Sequence, residues 1–183
     1  MKTALLIVDV QNDYFPDGRN ELVGSIEASL RIKTIIEEFR RKNLEIIYIQ
    51  HISKSPTATF FLSNTAGVAI HKNVYPNKED KIFIKHYPNS FRETGLNEYC
   101  KNKGIDTLVI VGMMSHMCID TTVRAGYDLG YKIVVLRDCC ATKDLRMGEK
   151  IVKAEEVQIA YMAAIKGTFG EVKTVEEYMN GEI

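Results

Sequence analysis

The sequence predicts an α/β fold, a Rossmann-like three-layer sandwich on a six-stranded parallel sheet of order 3-2-1-4-5-6. Two observations support this prediction. Segments with the pattern of strands alternate with segments with the pattern of helices, which is typical of βαβ units. The first strand segment, residues 3–9, is a continuous apolar run, as expected of a strand buried on both faces. A length of 183 residues favours a single domain over residues 1–183.

The other elements follow from hydrophobic periodicity and stop signals. The first helix is predicted from Ile26 to Arg41, because apolar residues recur there at helical spacing, with Ser25 as its N-cap. The remaining strands are predicted at 45–51, 82–85, 107–112, 132–138 and 169–173. The remaining helices are predicted at 95–103, 116–129 and 148–165, with a terminal helix capped by Thr174. Residues 52–80 have no clear periodicity, and a loop of this length is usually functional or an oligomer contact.

Composition excludes several classes of protein. Lys+Arg and Asp+Glu are balanced at 24 each, so nothing points to nucleic acid or to an anionic membrane as a partner. The longest apolar run is too short to span a bilayer, and Asp9 interrupts the first run too early for a signal peptide. Four cysteines without CxxC spacing favour free thiols over disulfides or a zinc site. We therefore expect a cytoplasmic protein.

Three predicted strands lead to reactive side chains. Asp9 and Lys85 end their strands, and Cys118 follows the strand at 107–112. The carboxyl ends of parallel strands lie at one edge of the sheet, where ligands bind. An acid, an amine and a thiol at that edge are the layout expected of a cysteine-nucleophile hydrolase.

Each of these residues also has a purely structural interpretation. Cys118 begins a predicted helix, where the helix dipole favours a thiolate and free N–H groups could hold an oxyanion, but a buried cysteine is also a common core residue. Asp9 could be a general base, or it could form a structural ion pair or cap a turn. Lys85 could keep Asp9 ionised and lower the pKa of the thiol, or it could be solvated.

Further residues are candidates for the substrate pocket. His86 and His116 flank two of the proposed catalytic residues and are predicted to bind substrate, although solvated histidines would have the same pattern. Four phenylalanines are predicted to wall an apolar pocket, although each could belong to the core: Phe15, Phe60, Phe61 and Phe91.

No metal ion or cofactor is predicted. His51 and His71 are 20 residues apart with no acidic residue near His51, which is weak evidence for a metal site. Glycine-rich nucleotide motifs and the serine-hydrolase elbow are absent from the sequence.

The chain resembles the isochorismatase-like cysteine hydrolases, a superfamily that includes nicotinamidases and N-carbamoylsarcosine amidases. Five segments carry the resemblance: ALLIVDVQNDYF (4–15), EIIYIQHIS (45–53), IKHYPNSFRETGL (84–96), DTLVIVGMMSHMCIDTTVRAGYDLGY (106–131) and VVLRDCCAT (134–142). The resemblance implies a catalytic triad of Asp9, Lys85 and Cys118. It also implies a cis peptide between Met113 and Met114, an oxyanion hole formed by the N–H groups of Met114 and Cys118, and assembly into homodimers or homotetramers.

The sequence departs from two groups within this superfamily, which narrows the activities that the resemblance implies. Nicotinamidases of this family carry an Asp-x-His metal motif, and Ile49 stands here at the Asp position. True isochorismatases lack the cysteine, so Cys118 argues against that activity. What remains is the metal-free amidase-like branch, which predicts hydrolysis of a non-peptide C–N bond in a small amide, ureide or lactam-like substrate through a thioester. The alternatives are a nicotinamidase-type enzyme, a thiol-based redox or electrophile-binding protein, and a catalytically idle scaffold.

Overall fold

The computed structural model describes residues 2–181 and contains the alternating strands and helices that the sequence predicts. The strands are β1 Thr3–Val8, β2 Glu45–His51, β3 Lys81–Lys85, β4 Thr107–Met113, β5 Lys132–Ala141, β6 Leu145–Met147, β7 Lys150–Val152 and β8 Glu171–Lys173. The helices are α1 Ser25–Arg41, α2 Leu96–Lys103, α3 Asp120–Asp128, α4 Ala154–Ile165 and α5 Val175–Met179. A π-helical turn at Ser115–Ile119 precedes α3, and short 3₁₀ turns lie at Asn12–Tyr14, Ala66–Val68 and Lys72–Val74.

Within the described residues, six parallel strands form the main sheet in the order β3-β2-β1-β4-β5-β8. This confirms the predicted fold class and sheet order, since β8 takes the sixth place after the separate antiparallel hairpin β6–β7. At the centre, Leu6 of β1 pairs with Ile47 of β2 and with Ile110 of β4. The strand order runs from β1 to β3 on one side and from β4 to β8 on the other. A crevice therefore opens at the carboxyl ends of β1 and β4.

The side chains of β1 alternate between two hydrophobic cores. Leu5 and Ile7 pack with the apolar face of α1, whereas Leu6 and Val8 pack with residues of α2, α3 and α4 on the other face. All four side chains are almost fully buried. Burial of an aliphatic side chain of this size contributes about 1.5–3 kcal/mol, so this continuous apolar run fixes the middle layer of the three-layer sandwich.

Several predicted boundaries are wrong. Ser25 is the first residue of α1 rather than its N-cap, a place taken by Gly24 in the left-handed conformation. Strand β5 continues three residues beyond the predicted end at Asp138, because the residues that follow are apolar and buried in the sheet. Asp138 is half-buried within the strand and accepts a hydrogen bond from the Val175 N–H at 3.0 Å.

The predicted helix at 148–165 begins too early. Gly148, with a φ of 60°, forms the turn of the β6–β7 hairpin, and α4 begins only at Ala154. Asp144 fixes this start, since its carboxylate accepts the Ala154 N–H at 2.8 Å and contacts Lys153 Nζ at 2.8 Å. By contrast, Thr174 caps the terminal helix as predicted, and its hydroxyl accepts the Glu177 N–H at 3.1 Å.

Across residues 2–181, none of the helices has the length and apolar character needed to cross a membrane.

Candidate active site

The structure brings Asp9, Lys85 and Cys118 together at the carboxyl edge of the sheet. Asp9 follows β1 with a φ of 53°, Lys85 ends β3, and Cys118 lies in the π-helical turn after β4. Asp9 and Lys85 are fully buried, and the Cys118 side chain is close to fully buried. Three residues that are far apart in sequence therefore form one enclosed polar cluster in an apolar surround.

Lys85 is held by two backbone carbonyls as well as by Asp9. Its Nζ lies 2.8 Å from Asp9 Oδ2 and donates hydrogen bonds to the carbonyls of Tyr87 at 3.1 Å and Pro88 at 3.0 Å. The lysine contact is an ion pair, and no backbone N–H or hydroxyl of the described residues donates a hydrogen bond to either carboxylate oxygen of Asp9. The carboxylate therefore keeps lone pairs that can accept a proton.

The environment of Cys118 favours a neutral thiol at rest. Burial raises the pKa of Cys118 and the Asp9 carboxylate raises it further, which together outweigh the opposite influence of Lys85. For Lys85, burial disfavours the charge, but Asp9 and then Cys118 outweigh burial and leave the pKa of the lysine raised. The resting cluster is therefore a carboxylate, an ammonium and a protonated thiol.

His51 is a fourth member of this cluster, and the sequence analysis considered it only as a weak metal candidate. It ends β2 opposite Lys85 in the strand register, and its Nδ1 lies 3.4 Å from Lys85 Nζ and 3.9 Å from Asp9 Oδ2. Burial lowers the pKa of His51, although Asp9 opposes this shift, so the ring is neutral near neutral pH. Since Lys85 only donates hydrogen bonds, Nδ1 is the accepting nitrogen of the ring.

Donor atoms of Asp9, His51 and Cys118 lie within 4.8 Å of one another, a spacing that a metal ion could bridge. The Lys85 ammonium already contacts the first two of these residues. A cation placed there would be repelled by a positive charge that is in place. The prediction that the site uses no metal ion stays a prediction.

The backbone around the nucleophile candidate has the form that the resemblance implies. The Met113–Met114 peptide is cis. The N–H groups of Met117 and Ile119 both donate to the Met114 carbonyl, at 3.0 and 3.2 Å, so the Cys118 N–H lies between two amides that share one acceptor. These bonds define a turn wider than an α-helical one, which opens the backbone at Cys118.

Neighbouring elements hold this turn in place. The Ser115 hydroxyl donates to the Ala141 carbonyl at 3.2 Å and also bonds Gln158 of α4. His116, predicted to bind substrate, forms a 2.6 Å hydrogen bond to Thr142, and its ring meets the Tyr161 ring edge-on at 6.0 Å. His116 is thus near the nucleophile candidate, with its Nδ1 engaged by the protein.

Three other predicted pocket residues are placed differently from one another. His86 Nδ1 donates to the Ile52 carbonyl at 2.7 Å and fixes the start of the 52–80 loop. Phe15 is buried and stacks on His71 at 3.6 Å, and its contact with substrate stays a prediction. Phe91 stacks at 5.8 Å on Tyr131, the residue before β5, and its role in the pocket also stays a prediction.

Tyr14 is an aromatic residue near the cluster that the sequence analysis did not single out. The 3₁₀ turn at Asn12–Tyr14 sets the direction of both side chains. Burial raises the pKa of Tyr14, and the neighbouring Cys118 and Asp9 raise it further, so the phenol lies within electrostatic range of the cluster. Its ring packs 4.6 Å from Phe61 and 5.8 Å from Phe60, and Phe61 lies 5.7 Å from His51.

Asp13 holds the aromatic wall, formed by Tyr14, Phe60 and Phe61, against the rest of the fold. Its buried carboxylate accepts the Phe61 N–H at 2.6 Å. A Cβ on Gly67 would lie 2.1 Å from Asp13 Oδ1, so only glycine allows the loop to approach this closely. Gln11 adds a second fastening, since its amide exchanges hydrogen bonds with the His51 backbone at 2.7 and 2.9 Å. Part of the 52–80 loop therefore builds a wall of the site.

A surface groove of about 980 Å³ lies at the opposite edge of the sheet. It is lined by Thr3 and Thr107, which begin their strands, and by Tyr131. The groove is therefore separate from the cluster around Cys118.

The fold and the cluster together define a class of protein. A Rossmann-like sheet carries an acid, an amine and a thiol at its carboxyl edge, which is the arrangement of cysteine hydrolases. The family model described as Isochorismatase domain matches residues 3–177. The chain therefore belongs to the isochorismatase family of hydrolases.

Individual relatives agree with this assignment. The uncharacterized isochorismatase family protein YddQ of Bacillus subtilis is 44% identical, over 98% of this chain and 99% of its own length. A solved protein of Oleispira antarctica, assigned to the isochorismatase hydrolases, is 38% identical, with a TM-score of 0.94 over 98% of this chain and 97% of its own. Among more distant relatives, the streptothricin hydrolase of Streptomyces noursei is 26% identical, over 94% of this chain and 61% of its own length. The ureidoacrylate amidohydrolase RutB of Acinetobacter baylyi is 24% identical, over 98% and 83%.

Proposed function

We propose that this protein hydrolyses a non-peptide C–N bond in a small amide, ureide or lactam-like substrate, with Cys118 as nucleophile. The observation that carries this proposal is the pairing of a buried neutral thiol with a carboxylate that accepts no hydrogen bond from a backbone N–H or hydroxyl in the described structure. A thiol of this kind needs a base before it can attack, and Asp9 is the base within reach.

The first half of the reaction forms a thioester. Asp9 accepts the Cys118 thiol proton, and the thiolate adds to the substrate carbonyl to give a tetrahedral oxyanion. Asp9 then returns this proton to the leaving nitrogen as the C–N bond breaks. The products of this half are an amine or ammonia and an acyl group on Sγ, and Asp9 is again ionised.

The second half releases the acid. Asp9 accepts a proton from a water molecule, and the hydroxide adds to the thioester carbonyl. Collapse of the second tetrahedral intermediate breaks the C–S bond, and Asp9 returns its proton to Sγ. Throughout both halves the Lys85 ammonium keeps its two carbonyl partners and stays beside Asp9, which holds the carboxylate in position.

The oxyanion would be held by the N–H groups of Met114 and Cys118. Both belong to the backbone around the cis peptide and the π-helical turn. Preorganised backbone donors of this kind are worth about 10²–10³ in rate when one is removed from a comparable site.

The aromatic wall suits a small acyl group with a flat, uncharged face. Tyr14 packs on Phe61, and Phe61 lies 5.7 Å from the His51 ring, which is neutral near neutral pH. Apolar contacts and a few convergent polar groups are what small-molecule sites use to orient their ligands.

The relatives with named activities support the reaction class. Streptothricin hydrolase and the ureidoacrylate amidohydrolase RutB are hydrolases by name, and the second is an amidohydrolase. The alternatives have less support. The nicotinamidase relative is 23% identical, and Ile49 replaces the Asp of the expected metal motif. A redox role needs an accessible thiolate, whereas all four cysteines are buried.

The experiment that tests the proposal is ammonia release from a panel of small amides, ureides and lactams, with intact mass recorded on the same samples. We expect turnover and an acyl adduct in the wild type and neither in Cys118→Ala. Cys139→Ala, which removes a buried thiol on the other side of the sheet, is the matched control and should keep full activity. Full activity in Cys118→Ala would refute the proposal. Substrate loss without ammonia would indicate ring opening, which intact mass would detect as an adduct with the mass of the whole substrate, because the amine stays attached to the acyl group.

A further inference from the structure

Helix α4 exposes an apolar face that no element of the described structure covers. The sequence from Val157 to Ile165 contains no charged residue. The inner side of the helix is buried in the core, yet on the outer side Ile159 is 62% exposed. The neighbouring outer residues are also apolar and exposed: Ala160, Ala163 and Ala164. A helix that is apolar all round normally lies in an interior, so the outer face of α4 has the character of a contact surface.

The β6–β7 hairpin extends this surface along the chain. Ile151 is 45% exposed and Val152 is 43% exposed, directly before α4 begins. An isolated two-stranded hairpin is marginally stable in water, and Asp144 ties this one to the first turn of α4. We define the α4 patch as the exposed apolar residues of both elements: Ile151, Val152, Ile159, Ala160, Ala163 and Ala164.

We propose that the α4 patch is the surface through which two copies of this chain associate, with the two α4 helices antiparallel about a two-fold axis. Glu155, Ile159, Ala163 and Lys166 follow one another at spacings of four, four and three residues, so they lie on one stripe of the helix. The stripe thus has an acidic end, an apolar centre and a basic end, and all four residues are exposed.

This order of side chains is self-complementary. In an antiparallel pair centred close to Tyr161, Ile159 of one copy lies against Ala163 of the other, and Glu155 of each copy lies near Lys166 of its partner. A two-fold interface repeats every contact, so a patch used in this way must match itself. The small side chains at 160, 163 and 164 let two helices approach to about 8 Å.

The size of the contact explains why the hairpin belongs to the patch. Helix α4 has 12 residues and is about 18 Å long. A stable interface buries about 800 Å² on each partner, which is more than the single outer face of such a helix offers. The hairpin that directly precedes α4 in the chain carries two further exposed apolar residues, Ile151 and Val152.

Sedimentation velocity of the full chain over a hundredfold range of concentration tests the proposal. We expect the wild type to associate and Ile159→Glu to weaken association at least tenfold, because it places a charge at the apolar centre of the contact. Leu30→Glu is the matched control, since Leu30 is 51% exposed on α1, and it should associate like the wild type. Circular dichroism would verify that each variant is folded. A monomeric wild type, or equal association of the two variants, would overturn the proposal.

Charge reversal tests the antiparallel arrangement and the identity of the partner. Glu155→Lys and Lys166→Glu should each weaken self-association about fivefold, because each replaces two symmetric attractive pairs by repulsive ones. The double variant restores both pairs and should associate like the wild type. Recovery of this kind requires a second copy of the same chain. A double variant that is no better than the single variants would refute the antiparallel contact.

Discussion

Breaking the buried ion pair between Asp9 and Lys85 should lower the free energy of unfolding by an amount that follows from its surroundings. Lys85→Met keeps the unbranched side chain but removes the ammonium that lies 2.8 Å from Asp9 Oδ2, at a site where both side chains are fully buried. The carboxylate is then a buried charge without an aligned N–H or O–H donor in the described structure. Breaking a buried pair from one side costs about 3–5 kcal/mol, so we expect the free energy of unfolding to fall by that amount.

A double-mutant cycle separates the ion pair from the loss of packing. Asp9→Asn leaves the ammonium with the carbonyls of Tyr87 and Pro88, so we expect a smaller loss, about 2 kcal/mol. The variant with both substitutions contains neither charge, and its loss should be smaller than the sum of the single losses by about 2 kcal/mol or more.

Urea unfolding of the four proteins at neutral pH provides the measurement. The slope of each transition verifies that all four unfold from comparably compact states. If the single losses add to within about 0.5 kcal/mol, the two charges do not stabilise each other, and the account of Lys85 as the partner of Asp9 is wrong.

Three further predictions concern the site and its loop. Gly67→Ala should destabilise the fold and raise KM more than it lowers kcat, because the new Cβ would lie 2.1 Å from Asp13 Oδ1; unchanged thermal unfolding and kinetics would contradict the fastening of the loop. Asp9→Asn should speed alkylation of Cys118 by iodoacetamide, because the carboxylate raises the pKa of the thiol and Lys85 lowers it; peptide mapping measures this rate. Stability should fall as the pH drops below about 6.5, because burial lowers the pKa of His51 and the unfolded chain then binds a proton that the folded chain does not. His51→Gln should reduce this slope in urea titrations, and an unchanged slope would refute the explanation.

The convergence of the site could be predicted from the sequence because it depends on only two regularities. Parallel strands place their carboxyl ends at one edge, and a reactive residue that directly follows an apolar run marks such an end. Asp9 and Lys85 satisfy this rule through β1 and β3, and Cys118 does so one turn after β4. His51 satisfies it as well, at the end of β2, and the same reasoning applied to that strand would have found it.

The direction of side chains in irregular turns could not be predicted from the sequence. Phe15 and Tyr14 are adjacent aromatic residues, and the 3₁₀ turn at Asn12–Tyr14 sends Tyr14 toward Phe61 and Phe15 toward His71. The start of α4 was missed for a related reason. The residues before it have an apolar content that also fits a helix, whereas Gly148 and the Asp144 contacts produce a hairpin. In both cases a single turn decides the structure, and hydrophobic periodicity over a window of residues does not reveal a single turn.

In the proposed mechanism, the neutral resting thiol changes what Lys85 has to do. Proton transfer from Cys118 to Asp9 turns a carboxylate and a thiol into a carboxylic acid and a thiolate, so the net charge of the three groups stays the same. Lys85 does not stabilise the charge of only one of these groups. Its ammonium, fixed by the Tyr87 and Pro88 carbonyls, neutralises the carboxylate before the transfer and the thiolate after it. Since the countercharge does not have to move, the transfer requires little reorganisation of the surrounding protein, which is the condition under which buried charges accelerate a reaction. The same burial keeps the resting thiol protonated, and thus less open to oxidation, until a substrate carbonyl is present to accept the electron pair.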